Sequence, residues 1–254
     1  MRHLRLSDYK VLTFDCYGTL IDWESGIWDA LQPLLGRNDR ADVSRKTALE
    51  SFSELESRIE SESPGMLYPK VLSSVHAAIA SRFDLESTPE LDLAFGGSVG
   101  RWPAFADTAD ALRYLKTRYK LVILSNVDRD SFAASSRKLG VTFDAIYTAE
   151  DIGSYKPNPD NFEYLLRRLR EEFGLEPTDV LHTAQSLFHD HAPAKTFGLA
   201  NVWIDRQRLS EGGSWGATAK LAARPETDFV FFTMGEMADA VREETGGSLP
   251  PSRR

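Results

Sequence analysis

Short apolar, β-branched runs recur along the chain at residues 9–15, 120–126, 144–148, 179–184, 201–204 and 228–232. Amphipathic segments with helical spacing separate most of them, which is the pattern of strands alternating with helices around a parallel sheet. The first two runs are the exception, because about a hundred residues lie between them. Within residues 22–98 the apolar positions fall three and four apart: Ile27, Leu31, Leu34 and Leu35, then Leu49, Phe52, Leu55 and Ile59, then Leu67, Val71, Leu72, Val75 and Ile79. That spacing predicts helices and no strand, so the insertion reads as a helical satellite on an α/β core.

Breakers divide the insertion and mark its return. SESPG at 61–65 interrupts the helical pattern, since the residue before Pro64 is steered out of the α region. Gly96, Gly97 and Gly100 with Pro103 read as a hinge back into the core. The expected organisation is a doubly wound parallel core at 1–21 and 99–245, a helical cap at 22–98, and a tail at 246–254 (GGSLPPSRR) whose composition predicts disorder.

Charge and composition narrow the partners. A net charge of −8 repels phosphate backbones and anionic lipid, so neither nucleic acid nor a membrane surface is an expected partner, while a small anionic molecule in a locally positive pocket is. The N-terminal MRHLRLSDYKVLTFD reads as a charged start followed by a strand, and no apolar run is long enough to span a bilayer. The single cysteine, Cys16, forms neither an intrachain disulfide nor a cysteine-based zinc site, and fits a reducing, cytoplasmic setting.

In a doubly wound sheet the ligand lies beyond the carboxyl ends of the strands. The residues there are Asp15 followed by Cys16, Tyr17, Gly18 and Thr19; then Ser125 and Asn126; then Lys156; and then Gln185, Ser186 and Asp190. A carboxylate at a buried strand tip is a potential nucleophile, a lysine beside it keeps it ionised, and a second carboxylate can take a proton from water. From residue types alone, Asp15 is equally a turn acceptor at a strand end.

The motifs resolve that choice. VLTFDCYGTLID (11–22), VILSN (122–126), YKPNPDNF (155–162) and AQSLFHD (184–190) resemble, in order, the four motifs of the haloacid dehalogenase superfamily, with the helical insertion where that superfamily carries its cap. The phosphatases of the superfamily resemble DxDxT, whose second Asp protonates the leaving alkoxide; here the position is Tyr17, a phenol of pKa about 10. The pattern is instead similar to the type II, or (S)-2-haloacid, dehalogenase branch, whose halide leaving group needs no proton. Gln185 stands where the phosphatases carry an acidic metal-site residue, so no cofactor is expected; Mg2+ belongs to the alternative reading as a phosphatase. A further alternative is a binding protein that has kept the fold and lost efficient turnover.

The resemblance implies that Asp15 attacks the substrate α-carbon, Thr19 orients it, Ser125 holds the substrate carboxylate, Asn126 stabilises the halide, and Lys156 with Asp190 drives ester hydrolysis. Tyr17, Trp23, Gln185, Ser186 and Phe188 complete the expected substrate-binding set, no metal ligand is assigned, and a homodimer is compatible with the enzymes it resembles. The chain departs from the branch in two places. The branch carries an early cap arginine, for which Arg37, Arg40, Arg45 and Arg58 are all candidates and none aligns securely; its Ser and Asn in the fourth motif become Gln185 and Leu187. The acidic run with Glu54, Glu56, Glu60 and Glu62 reads as a solvated helix face. His182 reads as a hydrogen-bonded core residue, His189 as support for Asp190, and Trp28, Tyr68 and Trp102 join Trp23 and Phe188 as pocket-wall candidates.

Overall fold

In the computed structural model, which describes residues 4–213 and 223–246, six strands form one parallel sheet in the order β3-β2-β1-β4-β5-β6. They are β1 (Val11–Phe14), β2 (Lys120–Ser125), β3 (Ala145–Thr148), β4 (Val180–Ala184), β5 (Ala200–Ile204) and β6 (Phe229–Phe231). Each lies inside or within a residue of an apolar run in the sequence. The central strands are buried on both faces, as β1, β2 and β4 must be when helices cover the whole sheet. The strand order reverses between β1 and β4, so chain leaving their carboxyl ends diverges and opens a crevice there.

Residues 22–98, within the stretch between β1 and β2, hold four helices: α1 (Trp23–Arg37), α2 (Arg45–Glu62), α3 (Tyr68–Arg82) and α4 (Pro89–Gly96). Their starts are set by local chemistry. Asp22, Ser44 and Thr88 accept hydrogen bonds from the backbone N–H groups of Ser25, Thr47 and Leu91. Helix α2 ends at Glu62, where the SESPG breaker begins to act. Leu49, Phe52, Leu55, Val71, Leu72, Val75 and Ile79 of the apolar periodicity are all buried in α2 and α3.

Within the segment read as a hinge, Gly96 has a packing role. Gly96 closes α4 and packs against α3: a Cβ there would lie 2.3 Å from Ser73 Oγ and 2.5 Å from the Pro69 carbonyl oxygen. It is a close-approach glycine between two helices. The expected disordered tail lies outside the described residues except for Gly246. Among the described residues no helix is long and apolar enough to cross a membrane.

The rest of the core comprises α5 (Thr108–Lys116), α6 (Arg129–Leu139), α7 (Ala149–Ile152), α8 (Pro159–Phe173), α9 (Ala192–Thr196) and α10 (Met234–Glu244), all connecting or following strands.

Candidate active site

Asp15 follows the last residue of β1, and the chain turns at once: the amides of Leu20 and Ile21 donate to the Cys16 carbonyl at 2.8 and 3.0 Å. Gly18 makes that turn, with φ of +96° and Gln185 and Trp23 only 3.0 and 3.1 Å from where a Cβ would stand. The turn brings the Thr19 hydroxyl back to Asp15, donating to Oδ2 at 2.8 Å while accepting from the Gln185 amide at 2.9 Å. One oxygen of Asp15 is therefore fixed by its own turn.

Lys156 fixes the other. Its ammonium has three acceptors: Asp15 Oδ1 at 3.0 Å, Asp190 Oδ1 at 2.7 Å and the Leu124 carbonyl at 3.0 Å. All three of its protons are used. Burial works against the charge, but the two carboxylates together hold the lysine pKa above its ordinary value. Burial likewise raises Asp15, with Lys156 opposing it. Burial would raise Asp190 too; there Lys156 and His182 prevail and keep it well below the usual carboxylate range.

Asp190 stands in a π-helical turn, Leu187–His191, directly after β4. Its Oδ1 accepts from His182 Nε2 at 3.0 Å, and Thr13 Oγ1 lies 2.8 Å from His182 Nδ1. A donor at Nε2 makes Nδ1 the acceptor, so a Thr13–His182–Asp190 chain crosses from β1 to β4 beneath the site. Asp190 Oδ2 has no hydrogen-bond partner among the described residues. His191 turns away and bonds the Ala184 carbonyl at 2.9 Å. His189 stays by the cavity, its pKa pushed down to about 4 by burial, hence neutral.

These groups open onto a cavity of about 70 Å³. Asp15, Tyr17, Trp23, Asn126, Lys156, Gln185, Ser186 and Asp190, all singled out from the sequence, line it. Thr19 and Ser125 do not: Thr19 is wholly buried behind Asp15, and the buried Ser125 hydroxyl has no partner among the described residues. Phe188 lines an adjoining hollow with Arg58 and Pro157. Asn126 reaches the cavity, yet both ends of its carboxamide are bonded to the Lys156 backbone. Gln185 is bonded through Nε2 to Gln207 at 3.0 Å, which in turn donates to Glu24.

Other expectations resolve by packing. Tyr68 does wall the cavity, whereas Trp102 is core, wedged against Gly26 and edge-on to Tyr17 at 5.4 Å. Trp28 borders a separate surface hollow. Cys16 is fully buried in the apolar core and burial pushes its thiol well up, so it is a packing residue.

The acidic run is where the sequence reading fails. Glu54 is exposed and pairs with Arg82, as a solvated face would, but Glu56 and Glu60 turn inward and line the cavity with Ser53. The signal was present: 52, 56 and 60 form one i, i+4 row on α2, and Phe52 is core. Tyr68 Oη donates to Glu56 Oε1 at 2.6 Å. Burial pushes Glu56 up to about 7 and Glu60 well above the ordinary range. Among the described residues no arginine lines this cavity, and Lys156 is the one lysine that does. Among the described residues no set of three or more His, Cys, Asp or Glu is placed to hold a metal ion.

Fold and site together define a parallel α/β hydrolase with a carboxylate at the tip of its central strand. The chain belongs to the haloacid dehalogenase-like hydrolases, whose family model matches residues 9–183. It is 28% identical to an (S)-2-haloacid dehalogenase of Xanthobacter autotrophicus, over 96% of this chain and 99% of that one. It is 32% identical to (S)-2-haloacid dehalogenase 4A of Burkholderia cepacia, over 78% of this chain and 84% of that one. In fold it is similar to the L-2-haloacid dehalogenase of Xanthobacter autotrophicus solved with chloropropionic acid covalently bound, with a TM-score of 0.73 at 22% identity, covering 92% of this chain and 98% of that one.

Proposed function

We propose that the protein hydrolyses a short (S)-2-haloacid to the 2-hydroxy acid through an ester on Asp15, with residues 22–98 acting as the cap. The observation that carries this reading is Tyr17. It occupies the wall of the cavity where an acid would serve an alkoxide leaving group, its hydroxyl is 3.0 Å from Ser135 Oγ, and burial pushes its pKa well up. A phenol so placed is a poor proton donor, and halide departs without one. The small cavity suits a short acid, and the two curated relatives point to the same substrate class.

In this reading an Asp15 oxygen attacks the α-carbon, the carbon–halogen bond breaks, and halide leaves with its electron pair. Thr19 and Lys156 aim the carboxylate and hold it ionised. Water then attacks the carboxyl carbon of the ester, its proton passing to Asp190, whose Oδ2 is free to receive it. The tetrahedral intermediate collapses, the bond from that carbon to the substrate oxygen breaks, the alkoxide takes back the proton held by Asp190 to give the hydroxy acid, and the regenerated Asp15 carboxyl loses its proton to solvent. No cofactor enters either step. The single buried cysteine fits a cytoplasmic enzyme.

The test is halide release from 2-chloropropionate, with intact-protein mass spectrometry of wild type, Lys156→Ala and Asp190→Ala after brief exposure. A mass gain that maps to Asp15 without magnesium supports the reading. Folded protein that releases no halide from any short 2-haloacid overturns it, and magnesium-dependent turnover of an aryl phosphate would favour the phosphatase.

A further inference from the structure

The dehalogenation reading leaves a gap in charge. A 2-haloacid brings a carboxylate into the cavity and a second anion forms as halide departs, yet among the described residues no arginine lines the cavity and the Lys156 ammonium has all its protons committed. What the insertion places there is a pair of carboxyls one helical turn apart.

The two are not equivalent. Glu56 is engaged by Tyr68 at 2.6 Å. Glu60 is only 6% exposed, lines the cavity, and makes no hydrogen bond among the described residues. A carboxyl that lines a cavity and has no partner in the protein is free to bond a ligand group that enters it.

We propose that the Glu60 carboxyl, in its neutral form, is the insertion's hydrogen-bond donor to the anionic part of the substrate, in place of a cationic side chain. This rests on the haloacid reading above. The anion is either the substrate carboxylate or the departing halide; both accept one O–H donor, and charge assistance makes that bond a strong one.

The surroundings favour the neutral form. Glu56 on the same helix repels an ionised Glu60. Tyr68 on α3 faces the pair, and Tyr155 lies close enough to feel the charge of both. Across the cavity Lys156 and His182 hold Asp190 well below the usual carboxylate range, and burial keeps His189 neutral. Lys156 alone pulls the other way, and its charge is already divided between Asp15 and Asp190. Arg58, on the same helix, is exposed and borders the adjoining hollow.

The test is steady-state halide release by wild type, Glu60→Gln and Glu60→Ala on (S)-2-chloropropionate and (S)-2-bromopropionate, from about pH 6 to about pH 10, a range wide enough to ionise a raised carboxyl. In wild type KM should rise toward alkaline pH as the donor is lost. Glu60→Gln keeps an N–H donor and should hold KM low and flat, while Glu60→Ala should weaken the substrate by about tenfold to a hundredfold at all pH. If halide is the anion held, the loss appears in kcat instead, and more strongly for chloride than for bromide. Equal behaviour of the Gln and Ala variants, or a KM that falls with rising pH, overturns the proposal. Should wild type release no halide, dehalogenation itself fails, and calorimetry with propionate in buffers of different ionisation enthalpy still decides the contact. At the alkaline end of that pH range, where the free carboxyl is ionised, proton uptake on binding supports it; binding without uptake, proton release or no binding overturns it.

Discussion

Asn126 grips the backbone of Lys156 from both sides, its Nδ2 donating to the Lys156 carbonyl at 3.0 Å and its Oδ1 accepting the Lys156 amide at 2.7 Å. This two-point clamp ties the end of β2 to the loop that delivers the lysine between Asp15 and Asp190. Asn126→Ala leaves a backbone donor and acceptor without partners and should cost about 1–3 kcal/mol of stability. Activity should fall further than occupancy of the folded state accounts for, because the ammonium loses its register. Chemical denaturation and halide release measured on the same preparation check this; equal activity per folded molecule would refute it.

Removing the lysine itself has a different signature. Lys156→Ala strands two buried carboxylates and should destabilise the fold by about 3–5 kcal/mol near neutral pH. The sign with pH follows from the directions of the shifts. The raised Lys156 pKa gives stability that is full below the unfolded lysine value of about 10.4 and is lost as pH rises through the folded one. The lowered Asp190 pKa gives stability present above the unfolded value of about 3.9 and lost as pH falls through the folded one. The gap between wild type and variant should therefore be widest between those limits and narrow at both ends, as followed by urea midpoints across pH.

Glu56 runs the opposite way. Its carboxyl is raised from 4.5 to about 7, chiefly by burial, with the Tyr68 hydrogen bond opposing. The folded protein binds that proton more tightly than the unfolded chain, so stability falls as pH rises from about 4.5 to about 7, by up to about 3 kcal/mol. Glu56→Gln removes this dependence and should be more stable than wild type at mildly alkaline pH while differing little at acid pH. Thermal unfolding at the two pH values measures it; a variant that is less stable at both would show that the carboxylate is satisfied in the fold.

Both halves of the architecture were legible in the sequence, for a physical reason. Strands buried on two faces need unbroken apolar runs, and insertion helices buried on one face need three-four spacing, so Val11 to Phe14 and Val71 to Ile79 announce their elements directly. Asp15, Lys156 and Asp190 were readable because they follow the carboxyl ends of β1, β3 and β4 and fall within motifs that resemble those of a known superfamily. The inward turn of Glu56 and Glu60 was not read, because charge suggests solvent unless the row from Phe52 is followed around the helix. The two-ended use of Asn126 is tertiary and leaves no local mark.

Gly96 separates packing from motion. As a hinge it would tolerate alanine thermodynamically and lose turnover; as a spacer between α3 and α4 it should lose stability. The contacts a Cβ would make, with a backbone carbonyl among them, lead us to expect a loss of about 1–3 kcal/mol for Gly96→Ala, with kcat per folded molecule nearly unchanged. Differential scanning calorimetry and halide release, read together, distinguish the two: a stable variant with depressed kcat would restore the hinge.

Thr19 offers the sharpest test of how Asp15 is aimed. Its hydroxyl donates to Asp15 Oδ2 at 2.8 Å and accepts from the Gln185 amide at 2.9 Å, so one oxygen links the turn after β1 to the end of β4. A hydrogen bond to a charged group contributes about 1.5–3 kcal/mol, and its loss in Thr19→Ala should lower kcat by about tenfold to a hundredfold. Thr19→Ser keeps the hydroxyl and loses only a buried methyl, so it should retain most of kcat while giving up some stability. The order of the two variants carries the argument. If the methyl matters more than the hydroxyl, Thr19 supports the turn by packing; if Ser rescues and Ala does not, the hydrogen bond that fixes Oδ2 is what directs the other oxygen of Asp15 toward the substrate carbon.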